Sequence, residues 1–392
     1  DPIPPAISDI SAKVVFTPGL ILIENFTGRY SQNLVSLTGR IWPGKQEQLR
    51  YCLLLQAEQT ELNDDLIAVL PVPLAKIVSK LQPKGKINLS ANLNKAASDD
   101  CSEHRITVDC LGNSVNFELL PYPLKDITGR LMITKNDIQF EGITATAADN
   151  MPIISNASTI KINGRIALAD NASSSDRFQL SAGDITLMAD NLRIKGKSLT
   201  GLKANLCYEH PHRNWMTKYL IADCYGGRLA GKFELKQTHE ADLEYLLHVG
   251  FDNIDLKQFL SDTNSQGAHH NSYTTGKMSG SLSIATAVGE SLPRIGRCRL
   301  QITNMQVGKL SPLTKLLQLK LTESEQFAFD RMLVDSYIKN NKLFFKHVDL
   351  AGKDLAFNGS GSMDLQTLNI NLVLFARGHH RLATAQPSVL QS

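Results

Sequence analysis

The chain has 392 residues, 42% of them hydrophobic, and its 41 basic and 38 acidic side chains are mixed along it for a formal net charge of +3. That length exceeds the usual single core and predicts two domains or one elongated body, and the lack of any long run of like charge argues against nucleic acid as a partner. No stretch reaches the roughly 18 uninterrupted apolar residues of a membrane span: the best candidate, Leu66 to Val78, is broken by Pro71, Pro73 and Lys76.

The chain opens on Asp1-Pro2-Ile3-Pro4-Pro5, with neither Met nor a basic-then-apolar signal, which predicts a piece of something longer whose anchor or export signal lies elsewhere. The segment Asp9 to Gly28 then returns without a gap as Asp126 to Ala145, at a constant offset of 126 − 9 = 117 residues. Within the echo Val14 and Phe16, then Ile21 and Ile23, alternate with polar neighbours, as do Leu131 and Ile133, then Ile138 and Phe140. A repeat made of period-two alternation predicts an antiparallel sheet assembled by duplication, each strand with one dry and one wet face. The short, stacked period of a parallel β-helix is absent.

Between the two copies, Asn63-Asp64-Asp65 predicts a helix start, and Leu74, Ile77, Val78 and Leu81 keep helical spacing to the end of a helical insert near 63–81. Alternation resumes at Ile160, Ile162 and Ile166, at Leu192 and Ile194, and at Leu229 and Phe233. It continues at Leu343 and Phe345, Leu355 and Phe357, and Leu368 to Leu374. Ile254 to Leu260 predicts one or two helical turns, and Ser311-Pro312 starts a further helix near 311–319 with Leu313, Leu316 and Leu317 on one face. Turns are predicted at Pro18-Gly19, Lys135-Asn136-Asp137, Asn163-Gly164, Tyr225-Gly226-Gly227, Asn340-Asn341 and Asn358-Gly359. The organisation that follows is an N-terminal β region over 1–195, a second β region over 196–376 and a tail over 377–392 without apolar period.

Chemistry-bearing clusters are sparse. Cys207-x-x-His210-x-His212, with Cys224 beyond it, has metal-ligand residue types but no common zinc spacing, and Pro211 between the histidines suits a hairpin tip equally. Cys101-x-x-His104 is weaker, and His269-His270 and His379-His380 read as solvated loops. The six cysteines form no CxxC pair; Cys101 and Cys110 are left open between a bridge and free thiols. No GxSxG elbow or phosphate-cradling glycine loop is present, and Ser360 and Ser362 sit in strand and turn chemistry. No catalytic residue, metal or cofactor is expected.

Several phrases resemble the AsmA-like family. Asp223 to Leu235, DCYGGRLAGKFEL, is similar to that family's glycine-centred strand-turn-strand, and Val249 to Leu256, VGFDNIDL, to the step that follows it. Gly276 to Leu282, GKMSGSL, resembles the next strand, and Phe357 to Leu365, FNGSGSMDL, one of the closing series, so that the likeness spans roughly Gly196 to Leu374. It implies a bacterial envelope protein related to TamB and to eukaryotic bridge-like lipid transfer proteins. In such a protein a periplasmic body hangs from one inner-membrane anchor, and a long, curled antiparallel sheet forms an apolar groove with a few short helices. Here the anchor would be a missing N-terminal helix.

On that basis the chain is expected to hold a phospholipid or other acyl lipid without catalysis. The groove candidates are Phe16, Ile21, Ile23, Leu131, Ile133, Ile138, Phe140, Leu192, Ile194, Leu229, Phe233, Leu343, Phe345, Leu355 and Phe357. Three other outcomes stay open: a closed β-sandwich with a dry core, a scaffold that helps outer-membrane β-barrel proteins assemble by offering strand edges, and a hydrolase built on Cys207, His210 and His212. Envelope proteins are further expected partners.

Overall fold

The computed structural model describes residues 7–30, 33–44, 49–63, 67, 78, 81–95, 103–116, 123–147, 158–168, 180–194, 197–209, 214–237, 243–262, 274–287, 295–308, 326–353, 355–367 and 369–378. They fall into two compact units: Asp1–Ile194 with Leu199–Ile221 and Glu234–Gln237, and Lys195–Ser198 with Ala222–Phe233 and Thr238–Ser392. The described residues are almost entirely antiparallel strand, in a 20-stranded sheet that is not closed into a barrel among them.

Ten strands open the chain: β1 (Ile7–Thr17), β2 (Leu20–Tyr30), β3 (Asn33–Pro43), β4 (Leu49–Glu61), β5 (Lys86–Lys95), β6 (Glu103–Val115), β7 (Leu124–Thr134), β8 (Asp137–Ala147), β9 (Ser158–Leu168) and β10 (Leu180–Ile194). Each pairs antiparallel with the next. Then come β11 (Lys197–Glu209), β12 (Asn214–Cys224), β13 (Gly227–Gln237) and β14 (Leu243–Asp255), followed by the helix α1 (Leu256–Ser261). The series closes with β15 (Thr275–Ala287), β16 (Ile295–Gly308), β17 (Gln326–Lys339), β18 (Lys342–Ala351), β19 (Leu355–Asp364) and β20 (Ile370–Gly378). From β14 to β20 each strand again pairs with its successor in the sheet.

Tight turns use the residues that tolerate positive φ. Gly19 (φ 81) follows Pro18 between β1 and β2, Tyr225 and Gly226 (φ 47 and 75) join β12 to β13, and Asn340 and Asn341 (φ 49 and 60) join β17 to β18. Two predicted turns are corrected. Asn163-Gly164 lies within β9 and Asn358-Gly359 within β19. In both, the glycine serves close strand approach, since a Cβ at Gly164 would fall 2.3 Å from the Asp184 carbonyl oxygen and one at Gly359 1.9 Å from that of Val373.

The 117-residue echo is a structural repeat that includes its first irregularity. Asp9 and its equivalent Asp126 both take positive φ, 53 and 51. The first register shift in the β1–β2 ladder falls between Ser8 and Ser11, and in the β7–β8 ladder between Lys125 and Thr128, the equivalent pair. Val14 faces Ile23 and Phe16 faces Ile21, as Leu131 faces Phe140 and Ile133 faces Ile138. The likeness extends one strand further than the sequence echo: Gly39 of β3 stands opposite Ile23, as Gly164 of β9 stands opposite Phe140.

Helical structure is confined to short pieces among the described residues. Ile67, Val78 and Leu81 are helical, and the Ile67 amide donates to the Asn63 carbonyl, as the predicted cap requires; the rest of 64–80 and all of 311–319 lie outside the described residues. The helix expected from Ile254 begins at Leu256, because Ile254 and Asp255 still belong to β14 and the Asp255 carboxylate accepts from the Gln258 amide at 3.0 Å as the N-cap.

Candidate functional site

In both units, cross-strand register converts period-two alternation into rows of apolar side chains that cross many strands on one face. In the first unit one row runs Phe26, Leu37, Leu55, Ala91, Ile106, Ile133, Ile138, Ile166 to Gly183. Its neighbour runs Ala57, Leu89, Val108, Leu131, Phe140, Gly164 to Ile185. At the end of the first row a Cβ on Gly183 would come within 2.9 Å of the Trp215 ring, which is tilted against Tyr208 with centroids 5.3 Å apart. In the second unit Val249, Leu282, Cys298, Ser336, Phe345, Gly361 and Leu372 form one row. Leu247, Ile284, Gly296, Ile338, Leu343, Met363 and Ile370 form another.

Burial along these faces is graded from one strand end to the other. In the first unit the ends that hold Tyr30, Ala57, Ile87, Leu124, Ile127, Ala145, Ile160 and Leu192 are buried. At the opposite ends Ile21, Ile23, Leu53, Ile106, Ile133, Ile138, Phe140 and Ile166 stay half-exposed. The second unit repeats the pattern: Ile254, Met278, Ile302, Met305, Phe329, Leu350 and Phe357 are buried, whereas Leu247, Ile284, Leu343, Phe345, Met363 and Leu372 are half-exposed. The apolar rows are thus dry toward one strand end and, apart from Leu168 in the first unit and Val249, Ser336 and Ile338 in the second, half-exposed toward the other.

The reverse face carries cross-strand ion pairs among apolar side chains such as the stacked Tyr337 and Phe344 and the exposed Val373 and Phe375. Arg130 makes a two-point contact with Asp109 (2.6 and 3.2 Å), Arg165 meets Asp137 at 2.6 Å, and Arg297 meets Asp335 at 3.2 Å. The hydrogen bond that Arg130 donates to Asp109 raises the Arg130 pKa, and the one from Arg297 lowers that of Asp335. The Arg130 and Arg297 pairs are solvent-exposed and contribute little stability each, whereas Asp137 in the Arg165 pair is buried.

The sequence-predicted groove residues divide accordingly. Phe16 with Ile21, Val14 with Ile23, Leu131 with Phe140 and Ile133 with Ile138 are direct cross-strand pairs. Leu343 and Phe345 lie on the second unit's apolar face with Leu355 and Phe357, of which Phe357 belongs to the buried end. Phe233 stacks on Tyr245, ring centroids 6.1 Å apart, and Leu229 is half-buried in the same strand. Leu192 is buried while Ile194 is exposed, so these two do not share an environment. Phe16 sits on the outermost strand and is 74% exposed. The rows also contain Phe26, Leu37, Leu55, Ala91 and Ile106, which the alternation did not single out, and Ile166, which it did but which was not among the groove candidates.

Cys110 is a free thiol, as are Cys52, Cys207, Cys224 and Cys298, so the Cys101–Cys110 bridge is not formed. His210, His212, Cys101, His269, His270, His379 and His380 lie outside the described residues, among which no group of three metal-ligand side chains occurs. The most enclosed polar cluster ties α1 to the Tyr225 turn. The Tyr225 hydroxyl donates to Asp262 at 2.5 Å and accepts from the Ser198 amide at 2.8 Å, while the Lys197 ammonium lies 3.8 Å from the centre of the Phe259 ring and donates to its carbonyl. Burial, reinforced by Asp262, pushes the Tyr225 pKa up, and burial pulls that of Lys197 down. A shallow hollow lined by Asp223, Gly226, Arg228, Asp252 and Asn253 lies beside that turn and opens widely to solvent. No helix among the described residues is long and apolar enough to cross a membrane. Comparison with protein families, with curated proteins and with solved structures finds no match.

Proposed function

We propose that this protein is a lipid-binding module that holds acyl chains against the half-open apolar faces of its sheet, without catalysis, in the manner of AsmA-like envelope proteins. The observation that carries this reading is the graded burial. Rows of Ile, Leu, Val and Phe extend across consecutive strands, and among the described residues most of their members at one strand end are half-exposed. An uncovered apolar surface of that extent is a binding surface. Burial of each methylene of an acyl chain gains about 0.8 kcal/mol, so a tail laid along two adjacent rows is held by many small contributions and a polar head group stays in water. The reading places the chain in the periplasm, attached to the inner membrane by a segment outside it.

Native mass spectrometry of the chain purified from a bacterial host, followed by organic extraction, tests this. Phospholipid is expected on the native protein and absent from an Ile133→Asp, Phe140→Asp double variant that keeps its β-sheet circular dichroism. A lipid-free native protein, or one whose bound lipid is indifferent to the two aspartates, overturns the proposal.

A further inference from the structure

The apolar face of the first unit ends in polar side chains where β4, β5 and β6 reach their half-exposed ends. Beyond Leu55, Ala91 and Ile106, the next positions on that face are Leu53, Leu93 and His104, which stand opposite one another in turn, and beyond them Tyr51 faces Lys95. Tyr51 on β4 and His104 on β6 meet across the intervening β5: their rings stack with centroids 6.2 Å apart and planes 5° from parallel. Tyr51, Lys95 and His104 are all half-exposed.

Two properties set this group apart. Among the described residues of β2–β9, Lys95 is the one charged residue that the ladder registers put on the apolar face; Arg105, Arg130, Asp137 and Arg165 all fall on the reverse. The second is that His104 Nδ1 is buried without a hydrogen-bond partner. A half-exposed lysine lays its methylenes on apolar surface while its ammonium reaches water, and a buried ring nitrogen costs stability until a partner is supplied. An apolar surface that ends in an ammonium, an imidazole nitrogen and a phenol has the make-up of a site for an amphiphile, in which a few polar groups fix orientation and specificity.

We propose that Tyr51, Lys95 and His104 form a head-group subsite that selects acyl lipids of net negative charge and sets which way round they lie. The tail runs from there along the neighbouring row through Ile106, Ile133 and Ile138. The Lys95 ammonium attracts the net charge, His104 donates from Nδ1 to a phosphate oxygen, and the stacked Tyr51 ring holds the imidazole in place. The subsite rests on the lipid-binding reading above and adds to it the head group and the orientation.

The full chain is incubated with equimolar dioleoyl-phosphatidylglycerol and dioleoyl-phosphatidylethanolamine in detergent micelles, and bound lipid is counted by native mass spectrometry. The two lipids share tails and phosphate and differ in net charge. Phosphatidylglycerol is expected in about two- to fivefold preference, the effect of one solvent-accessible charge contact. In variants that keep the native β-sheet circular dichroism, Lys95→Gln should abolish the preference and Lys95→Arg keep it. His104→Phe, which retains a ring against Tyr51 but no N–H, should weaken both lipids by about twofold or more. Equal uptake by the native chain, a preference that persists in Lys95→Gln or falls as far in Lys95→Arg, or undiminished binding by His104→Phe overturns the subsite and leaves the lipid-binding face standing. If neither lipid binds the native chain, the lipid-binding reading falls and the subsite with it.

Discussion

Truncating one phenylalanine from each end of the burial gradient separates an open apolar face from a closed core. Phe329 is 1% exposed, lies opposite Met305 in the ladder and has the Phe357 ring 6.3 Å away, centroid to centroid. Phe329→Ala therefore leaves a cavity that its neighbours cannot fill, at a cost of about 3–5 kcal/mol. Phe140 is half-exposed beside Leu131 and Gly164, so its ring already meets water and its removal opens a gap that water enters. About half of a phenylalanine's transfer free energy is then lost, on the order of 1 kcal/mol. For a folding unit of this size 1 kcal/mol moves the melting midpoint by about 2–4 °C, so Phe329→Ala should lower it by roughly 6–20 °C and Phe140→Ala by about 2–4 °C. Differential scanning calorimetry with far-ultraviolet circular dichroism reads both shifts. Equal, large shifts would show Phe140 inside a packed core and would refute the argument for an open face.

Two further outcomes follow from local geometry. Gly164 has φ 153 and its missing Cβ would press on the Asp184 carbonyl oxygen, whereas Gly19 has φ 81 in an open turn with nothing within 4 Å; Gly164→Ala should cost at least about 1–3 kcal/mol and Gly19→Ala clearly less in urea unfolding, and equal costs would contradict the close-approach reading. For Asp137, burial alone would raise the carboxyl pKa, but hydrogen bonds from Thr134 and Gln139 and the Arg165 pair carry it below its usual value. The stability it contributes is present above the unfolded carboxylate pKa of about 3.9 and is lost as pH falls through the lower folded value. Asp137→Asn should accordingly destabilise the protein at pH 7, with the difference from the native chain shrinking toward zero in acid; a pH-independent difference would rule out this linkage.

Alternation and turn residues made much of the fold legible. Leu131, Ile133, Ile138 and Phe140 face one another as their spacing about the Lys135-Asn136-Asp137 turn implies, and the Asp9 and Asp126 segments adopt one backbone. What period-two counting cannot see is a bulge. Phe26 lies three residues after Ile23, so parity places it on the wet face, yet the shift in register between them returns it to the apolar row. The same shift recurs between Phe140 and Ile143. Gly164 and Gly359 read as turns because the sequence shows their freedom of φ but not the neighbouring strand that requires it. The gradient from dry to open ends is likewise invisible, since it depends on what meets each strand end in space and not on the strand's own pattern.

In the runs β1–β10 and β14–β20, every ladder joins strands that are neighbours in sequence. Most connections are therefore short, the long ones being those from Glu61 to Lys86, from Asp255 to Thr275 and from Gly308 to Gln326, and the slow search that burdens long-range β topologies is reduced. Once a few strands have nucleated, each new hairpin condenses on an existing edge, and its free energy is set by that neighbour alone, as in linear repeat arrays. Such wiring makes chain length an adjustable quantity: a block of strands can be copied or lost without re-encoding the remainder. The segment that returns at an offset of 117 residues has the form such a copied block would take.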